Sequence, residues 1–227
     1  MSDIKKYAVI VAGGKGLRMA SSIPKQFMPL NGVPLICHTI MAFRNAISGM
    51  QIVLVVPPDQ EQTVNTIIKS YLGSEKIMTV TGGDTRFHSV QNGLKAVQDD
   101  GIVFVHDGVR PLVSAGLINR CYEQALAKGS AIPCVPVTDS IRMVGDNDQS
   151  EPVNRDKLRV IQTPQTFRTA LILPAFQQEY SSAFTDEATV VEAYGKKVFM
   201  IDGEYSNLKI TTPGDIAIAE SLLKAAN

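Results

Sequence analysis

The chain has 227 residues, with 22 Lys and Arg against 22 Asp and Glu, so its formal net charge is zero. That length is sufficient for one large α/β domain with a full core. The balanced charge argues against a nucleic-acid polymer or an anionic membrane as the partner, whereas a small phosphorylated ligand needs only a local cluster of cations.

The first predicted element is a buried strand that runs into a glycine-rich loop. Residues 7–11 are continuously apolar, and Ala-Gly-Gly-Lys-Gly-Leu-Arg-Met and Ile-Pro-Lys-Gln follow. The loop contributes the glycines Gly13, Gly14 and Gly16 and the cations Lys15, Arg18 and Lys25. It matches neither the Walker A motif nor the dinucleotide-binding motif, whose third glycine is missing. Because glycines let backbone N–H groups close on an anion, we interpret it as a triphosphate-binding loop, with an ordinary glycine-rich turn as the alternative.

Strand-like and helix-like segments then alternate along the chain. Predicted strands cover residues 51–56, 76–80, 101–105, 131–137, 158–161, 197–201 and 207–210. Predicted helices cover residues 34–44, 59–71, 86–98, 114–128, 170–178, 186–194 and a final stretch capped by Thr212. The turn-rich residues 139–155 predict a projecting β-hairpin. The pattern therefore predicts a single α/β domain over residues 1–227, a doubly wound, mostly parallel, Rossmann-like sheet with a hairpin arm at 138–156.

Two polar clusters follow the predicted strands at residues 76–80 and 101–105, at the strand ends where ligands of doubly wound sheets bind. In Gly-Gly-Asp-x-Arg-x-x-Ser at 82–89, Asp84 can accept a hydrogen bond from a ribose hydroxyl or a base amino group. A turn with a helix start is the alternative. In His-Asp-Gly-Val-Arg-Pro at 106–111, Asp107 can face a metal or a sugar, and Arg110 can pair with it or with a ligand. His106 has the pattern of a core histidine rather than a catalyst.

Two further clusters lie in the second half of the chain. At the hairpin base, hydroxyl side chains around residues 138–140 and 162–165 accompany Arg155, and arginine can bind two phosphate oxygens at once. Turn chemistry and a surface arginine are the alternative there. Thr185 is explained as a helix cap. Lys209 has apolar neighbours that a strand would turn to the opposite face, so we expect Lys209 to face a polar site.

Taken in order, these motifs resemble the sugar-phosphate cytidylyltransferases over residues 7–222. The resemblance implies a nucleotide-diphospho-sugar transferase fold, and it favours the members that act on 2-C-methyl-D-erythritol 4-phosphate in the non-mevalonate isoprenoid pathway. Ribitol 5-phosphate is the alternative acceptor. A non-catalytic nucleotide-binding regulator is the alternative class, and the presence of both Arg18 and Lys25 argues against it.

The resemblance also implies the roles of individual residues. Catalytic roles fall to Arg18, Lys25, Arg155 and Lys209. CTP binding falls to Gly13, Gly14, Lys15, Gly16, Gly83, Asp84, Arg86, Ser89 and Asp107, with Lys15 either a phosphate contact or a solvated flank. Acceptor binding falls to Asp107, Arg110, Ser140, Arg155, Thr163, Thr185 and Lys209. The family uses Mg²⁺ or another divalent cation, for which Asp107 is the candidate ligand, and it forms a homodimer in which the arm carries Arg155 toward the neighbour's site.

The implied mechanism needs no general base. A phosphate monoester has a second pKa near ~6, so the acceptor is already anionic at neutral pH and can attack the α-phosphorus of CTP directly. The difficulty is the approach of two anions, which fixed cations and a metal ion relieve. The absence of a Ser/His/Asp or Cys/His constellation from the sequence is therefore no argument against an enzyme.

The three cysteines, Cys37, Cys121 and Cys134, are scattered and have no metal-ligand spacing. We expect reduced thiols in the core. With neither a signal peptide nor a membrane-spanning run in the sequence, we expect a cytoplasmic protein.

Overall fold

The computed structural model describes residues 4–13, 24–73, 76–146 and 149–226. The strands are β1 (Lys5–Val11), β2 (Pro29–Leu30), β3 (Val33–Pro34), β4 (Met50–Val56), β5 (Ile77–Thr81), β6 (Gly101–Asp107), β7 (Ser130–Pro136), β8 (Ile141–Val144), β9 (Ser150–Val153), β10 (Arg159–Ile161), β11 (Gln165–Arg168) and β12 (Met200–Asp202). The helices are α1 (Leu35–Ala46), α2 (Glu61–Leu72), α3 (Arg86–Leu94), α4 (Ala115–Lys128), α5 (Thr169–Ala175), α6 (Glu187–Ala193) and α7 (Pro213–Ala226). Short 3₁₀ turns occupy Lys25–Phe27, Pro58–Gln60 and Arg155–Lys157.

One large sheet organises these elements in the order β10-β7-β11-β6-β1-β4-β5, and β12 also pairs with β7. Strands β6, β1, β4 and β5 are mutually parallel, and β12 is parallel to β7. Strand β11 runs antiparallel between β6 and β7, so its first residue lies beside the carboxyl end of β6. The predicted Rossmann-like, mostly parallel fold is confirmed. The β8–β9 hairpin forms a separate two-stranded sheet.

Helices cover both faces of the large sheet because side chains alternate along its buried strands. In β1, Ala8 and Ile10 belong to the core that contains α1, α2 and α4. Tyr7 and Val9 belong to the opposite core, with α3, α5 and α6. All four residues are buried. A central strand of a doubly wound sheet has this character, and it explains the continuous apolar run.

Several predicted helix ends are confirmed by their capping. The Ser114 hydroxyl accepts the Leu117 N–H at 2.9 Å, and Gly129 ends α4 at φ 92°. In α7, the Asp215 carboxylate accepts the backbone N–H of Thr212 at 2.7 Å. These residues mark the helix ends in the sequence because their side chains, or the absence of one, satisfy backbone groups locally.

Among the differences between prediction and structure, three concern predicted elements and one concerns a strand that was not predicted. Helix α2 begins at Glu61 because residues 58–60 form a 3₁₀ turn, so Asp59 is not its N-cap. Helix α3 ends at Leu94 rather than at residue 98. Residues 207–210 are not a strand, although Ile210 donates one backbone hydrogen bond to Val109. Strand β11, which was not predicted, is buried through its polar residues Gln165 and Thr166 and therefore lacks a hydrophobic signal.

The three cysteines are free and buried, as predicted. Burial raises the pKa of the Cys37 thiol to about 11 and that of Cys121 to about 12, so both stay protonated at neutral pH. Among the helices in the described ranges, none is long and apolar enough to span a membrane.

Candidate active site

Candidate site residues converge at one edge of the sheet, where β1, β5 and β6 end. Gly13 follows β1, the Gly82-Gly83 pair follows β5, and Asp107 is the last residue of β6. Because β11 is antiparallel to β6, Thr163 reaches the same edge from the preceding loop, where its hydroxyl accepts the Asp107 N–H at 3.1 Å. The sheet topology alone therefore assembles residues that lie far apart in the sequence.

Three cationic side chains surround the buried carboxylate of Asp107. Lys209 Nζ lies 2.9 Å from Asp107 Oδ2, and Arg110 Nε lies 3.5 Å from the same oxygen. Arg86 Nη2 lies 3.3 Å from Oδ1. The Arg86 guanidinium also binds both carboxylate oxygens of Glu187, which is 1% exposed. We call these five residues the Asp107 cluster.

In the Asp107 cluster, ion pairing opposes the effect of burial on the charged groups. Burial raises the pKa of Glu187 and lowers that of Arg110, and their partners Arg86 and Asp107 act against these shifts. Burial would raise the pKa of Asp107, but Arg86, Lys209 and Arg110 hold it well below the usual range. Burial would lower the pKa of Arg86, but Glu187 and Asp107 raise it. Three cations and two carboxylates leave one excess positive charge at the sheet edge. Such a site suits an anionic ligand.

Lys209 reaches the cluster from a loop and not from the predicted strand. Residues 204–207 form a turn, and the Asn207 side chain donates to the Thr163 carbonyl at 2.8 Å. The Asn207 carbonyl accepts from Arg110 Nη1 at 2.8 Å. Ile210 is fully buried and anchors the loop on its other side, while Lys209 keeps 43% of its side chain exposed. With the loop anchored in this way, Lys209 faces the polar Asp107 cluster, as expected.

His106 lies behind Asp107 in a chain of hydrogen bonds. Its Nδ1 accepts from the Thr163 hydroxyl at 3.0 Å, and its Nε2 donates to the Arg110 carbonyl at 3.1 Å. The carbonyl fixes Nε2 as a donor, and in the neutral imidazole Nδ1 then accepts from the hydroxyl. Burial lowers the pKa of His106 to about 4. The histidine therefore orders the walls of the site, as the core interpretation predicted.

Stability should fall with acidification because of His106. The pKa of the folded state is lower than the ordinary value of 6.5, so the unfolded chain binds the extra proton first as the pH decreases. The free energy of unfolding should lose about 3 kcal/mol between about pH 6.5 and pH 4. Urea titrations at a series of pH values measure this slope. The variant His106→Asn should show a smaller slope than the wild type; equal slopes in the two proteins would contradict the assignment.

The predicted nucleotide loop at residues 82–89 folds onto Ser89. The Ser89 hydroxyl accepts the Gly83 N–H at 3.1 Å and donates to the Gly83 carbonyl at 3.3 Å. A Cβ at Gly83 would lie 2.5 Å from the His88 Cβ, so the backbone passes too close for any other residue. Gly13 approaches the same hydroxyl, and Asp84 is exposed. Ser89 thus shapes the loop, while Asp84 is available to a ligand.

The hairpin residues lie outside the Asp107 cluster. Ser140 and Arg155 are exposed at the base of the β8–β9 hairpin. The Arg155 guanidinium donates to the Thr138 carbonyl at 2.5 Å. This contact fixes the arginine at the foot of the arm.

Thr185 is not the cap of α6. Asp186 caps this helix through the Thr189 N–H at 2.9 Å, and the Thr189 hydroxyl accepts the Asp186 N–H in return. Thr185 is exposed one residue earlier. The helix therefore begins one residue later than a Thr185 cap requires, and the Thr185 hydroxyl is not used for capping.

Part of the predicted phosphate loop lies outside the described residues, namely Gly14, Lys15, Gly16 and Arg18. Lys25 opens the 3₁₀ turn that follows. Gln26 and Phe27 are buried beside it, and the Gln26 amide donates to the Gln60 side chain at 2.6 Å. These anchors hold the backbone at Lys25.

Glu187 and Asn207 are the functional candidates that the sequence did not reveal. Glu187 stands in the first turn of a helix, where an acidic residue is ordinary. Asn207 stands in a turn, where asparagine is equally ordinary. Their contacts join segments distant in the sequence, so no local pattern could have identified them.

The carboxylate of Asp107 offers little to a metal ion in this arrangement. Both oxygens face cationic side chains, so a divalent cation would have to displace at least one of them. Across the residues that the structure describes, no group of three or more His, Cys, Asp and Glu is placed to hold a metal.

Comparisons with known proteins agree on one family. The family described as IspD, 2-C-methyl-D-erythritol 4-phosphate cytidylyltransferase, matches residues 7–225. A 2-C-methyl-D-erythritol 4-phosphate cytidylyltransferase of Phocaeicola vulgatus is 46% identical over 220 residues, which cover 97% of this chain and all of the relative. The crystal structure of 4-diphosphocytidyl-2C-methyl-D-erythritol synthase from Anaerococcus prevotii has a TM-score of 0.80 at 31% identity, covering 97% of this chain and 96% of that one. The 2-C-methyl-D-erythritol 4-phosphate cytidylyltransferase from Thermus thermophilus has a TM-score of 0.76 at 31% identity, covering 97% and 100%.

Proposed function

The chain belongs to the 2-C-methyl-D-erythritol 4-phosphate cytidylyltransferase family, and from this premise we propose how its residues carry out the reaction. It is a nucleotidyltransferase of the non-mevalonate isoprenoid pathway. It joins CTP and 2-C-methyl-D-erythritol 4-phosphate to give 4-diphosphocytidyl-2-C-methyl-D-erythritol and pyrophosphate. The buried thiols support a cytoplasmic location, which we also propose.

The observation that carries the proposed mechanism is the excess of cations around Asp107. Lys209 and Arg110 are held at the sheet edge by a buried carboxylate, and Lys209 remains partly exposed. A phosphate monoester that binds there meets preformed positive charge and needs no deprotonation. We propose that the acceptor phosphate binds on this side and attacks the α-phosphorus of CTP in line, with pyrophosphate as the leaving group.

The nucleotide occupies the adjoining part of the edge in this proposal. The loop at 82–89 is narrow because Gly83 packs directly on His88, and the exposed Asp84 can accept from the ribose or the base. The triphosphate then extends toward the glycine-rich loop, where Arg18 and Lys25 stabilise charge on the phosphoryl oxygens. This arrangement brings the α-phosphorus between the two sets of cations.

A divalent cation such as Mg²⁺ would lower the repulsion between triphosphate and acceptor. We propose that the triphosphate itself supplies most of its ligands, because the Asp107 oxygens are engaged by cations.

We propose that the β8–β9 arm joins two subunits of a homodimer. Apolar side chains are exposed along the arm, with Met143 at 65% and Val144 at 75% of full exposure, and such side chains favour a protein contact. Arg155 stands at the base of this arm. The proposed contact brings Arg155 to the acceptor phosphate in the neighbour's site.

Replacing Arg155 with alanine should mainly weaken acceptor binding. Loss of one charge-assisted contact to a phosphate should raise KM for 2-C-methyl-D-erythritol 4-phosphate by about tenfold or more, with a smaller change in KM for CTP. Initial rates with each substrate varied in turn provide the test. Arg142→Ala is the matched control, because Arg142 lies on the same arm and binds Ser150 across it. An increase confined to KM for CTP would contradict the placement of Arg155.

The choice of acceptor is tested by pyrophosphate release from CTP. The purified protein should release pyrophosphate with 2-C-methyl-D-erythritol 4-phosphate and much more slowly with ribitol 5-phosphate. Faster release with ribitol 5-phosphate would reverse the assignment of the acceptor, and nucleotide binding without any release would indicate a regulator.

A further inference from the structure

We propose that Glu187 is a positioning residue. It holds Arg86 away from one carboxylate oxygen of Asp107, and that oxygen thereby keeps Lys209 in position in the acceptor site. This inference rests on the proposed function, since it takes Lys209 as a contact of the acceptor phosphate. It assigns to Glu187 a task that neither the sequence motifs nor the comparisons give it.

The geometry shows one guanidinium shared by two carboxylates. Glu187 binds Arg86 through both oxygens, one of them 3.2 Å from Nη2. The same Nη2 lies 3.3 Å from Asp107 Oδ1. Arg86 is therefore bound mainly by Glu187 and touches Asp107 with a single nitrogen.

This division leaves the second oxygen of Asp107 to the other cations. Oδ2 binds Lys209 at 2.9 Å and faces Arg110 at 3.5 Å. A guanidinium that had no other partner would pair with both oxygens of a carboxylate, which is its preferred geometry. Without the charge of Glu187, Arg86 would then compete with Lys209 for Oδ2.

A helix-dipole explanation of Glu187 is insufficient. An acidic residue in the first turn of α6 is favoured, but Asp186 already caps this turn, and that benefit is available to an exposed side chain. Glu187 is instead buried, and its carboxylate points away from its own helix to α3. Burying a charge costs desolvation free energy, which only a well-paired partner can offset. The partner here is Arg86, and the pairing orders the Asp107 cluster.

Positioning and simple electrostatic attraction predict opposite results for Glu187→Gln. The substitution raises the net charge of the Asp107 cluster from one to two positive charges, which by attraction alone would tighten binding of an anionic acceptor. If Glu187 positions Lys209, acceptor binding must weaken although the site has become more positive. The sign of the change therefore separates the two explanations.

The test compares steady-state kinetics of the full-length wild type, Glu187→Gln and the double variant Arg86→Gln/Glu187→Gln. We expect Glu187→Gln to raise KM for 2-C-methyl-D-erythritol 4-phosphate by about tenfold and KM for CTP by less than about threefold. The double variant removes the competing guanidinium, so KM for the acceptor should return toward the wild-type value. This KM is measured at saturating CTP, because the resemblance assigns Arg86 to CTP binding and KM for CTP is expected to rise in the double variant. Glu192→Gln, an exposed position on the same helix, is the matched control.

Several outcomes would overturn the inference. An unchanged or lowered acceptor KM in Glu187→Gln would do so, as would a double variant with an acceptor KM as high as that of the single variant. If Glu187→Gln does not fold, Glu187→Met takes its place, because it also removes the charge and has a side chain of similar length; a wild-type acceptor KM there would equally overturn the inference. A wild type that releases no pyrophosphate would instead refute the proposed function.

Discussion

Replacing Lys25 with alanine is expected to lower kcat by about 10²- to 10³-fold, with little loss of folding stability. The proposed reaction has no general base to remove, so fixed cations account for most of the protein's contribution to rate. Lys25 is one of the cations of the glycine-rich loop, where the triphosphate is proposed to lie. Its neighbours Gln26 and Phe27 are the buried side chains of the turn, so alanine at position 25 leaves the backbone anchors in place. Arg18→Ala should have an effect of similar size for the same reason.

Turnover at saturating substrates and the midpoint of urea unfolding are the two measurements. Lys69→Ala, at an exposed lysine on α2, is the matched control and should match the wild type in both. Near-normal turnover in both Lys25→Ala and Arg18→Ala would overturn the proposed catalytic role of these cations.

The variant Asp107→Asn should lose about 3–5 kcal/mol of folding stability at neutral pH, together with most of its activity. The substitution leaves Arg86, Arg110 and Lys209 close together with no carboxylate between them. Like charges then repel in a buried place, and the Lys209 loop loses its ionic contact. Asp202→Asn, on the exposed edge of β12, is the control and should remain close to the wild type.

The stability deficit of Asp107→Asn should depend on pH. Arg86 and the other cations hold the pKa of Asp107 below that of the unfolded chain, so its stabilisation is complete above about pH 4 and is lost as the pH falls further. The difference between variant and wild type should therefore be largest at neutral pH and narrow in acid. Urea unfolding of both proteins, at pH 7 and in acid below about pH 4, measures this difference in the free energy of unfolding. A deficit that is constant with pH, or absent at pH 7, would show that the ionised carboxylate does not hold the cations.

The environment of His106 bears on the mechanism. Both ring nitrogens are engaged, one by Thr163 and one by the Arg110 carbonyl, and the ring is fully buried. A histidine held in this way has no free nitrogen with which to accept a proton from a substrate. The histidine that precedes Asp107 therefore does not serve as a general base, in agreement with an acceptor phosphate that attacks as an anion.

Most of the sheet could be predicted from the sequence because its buried strands are continuous apolar runs bounded by glycine or turn residues. The strand predicted at residues 101–105 is β6, which continues for two residues and ends at Asp107. Strand β11 escaped because polar residues such as Gln165 and Thr166 are buried in it. Their burial is made possible by partners distant in the sequence, including the α6 cap, to which Gln165 donates a hydrogen bond.

The site shows the same division between local and distant information. The polar surroundings of Lys209 were predicted from a strand that does not exist, and the true cause is a turn that Asn207 ties to Thr163. Glu187 could not be separated from an ordinary acidic residue at a helix start. Only the folded chain shows that its carboxylate meets Arg86 from α3, 101 positions earlier in the sequence.

The central claim is that the acceptor phosphate itself attacks the α-phosphorus of CTP. It is tested most directly with 2-C-methyl-D-erythritol 4-phosphate that carries ¹⁸O in the non-bridging oxygens of its phosphate, followed by mass spectrometry of the products. If that phosphate attacks, the product 4-diphosphocytidyl-2-C-methyl-D-erythritol should retain all of the label and pyrophosphate should contain none. Label in the pyrophosphate, or an unlabelled coupled product, would contradict the account.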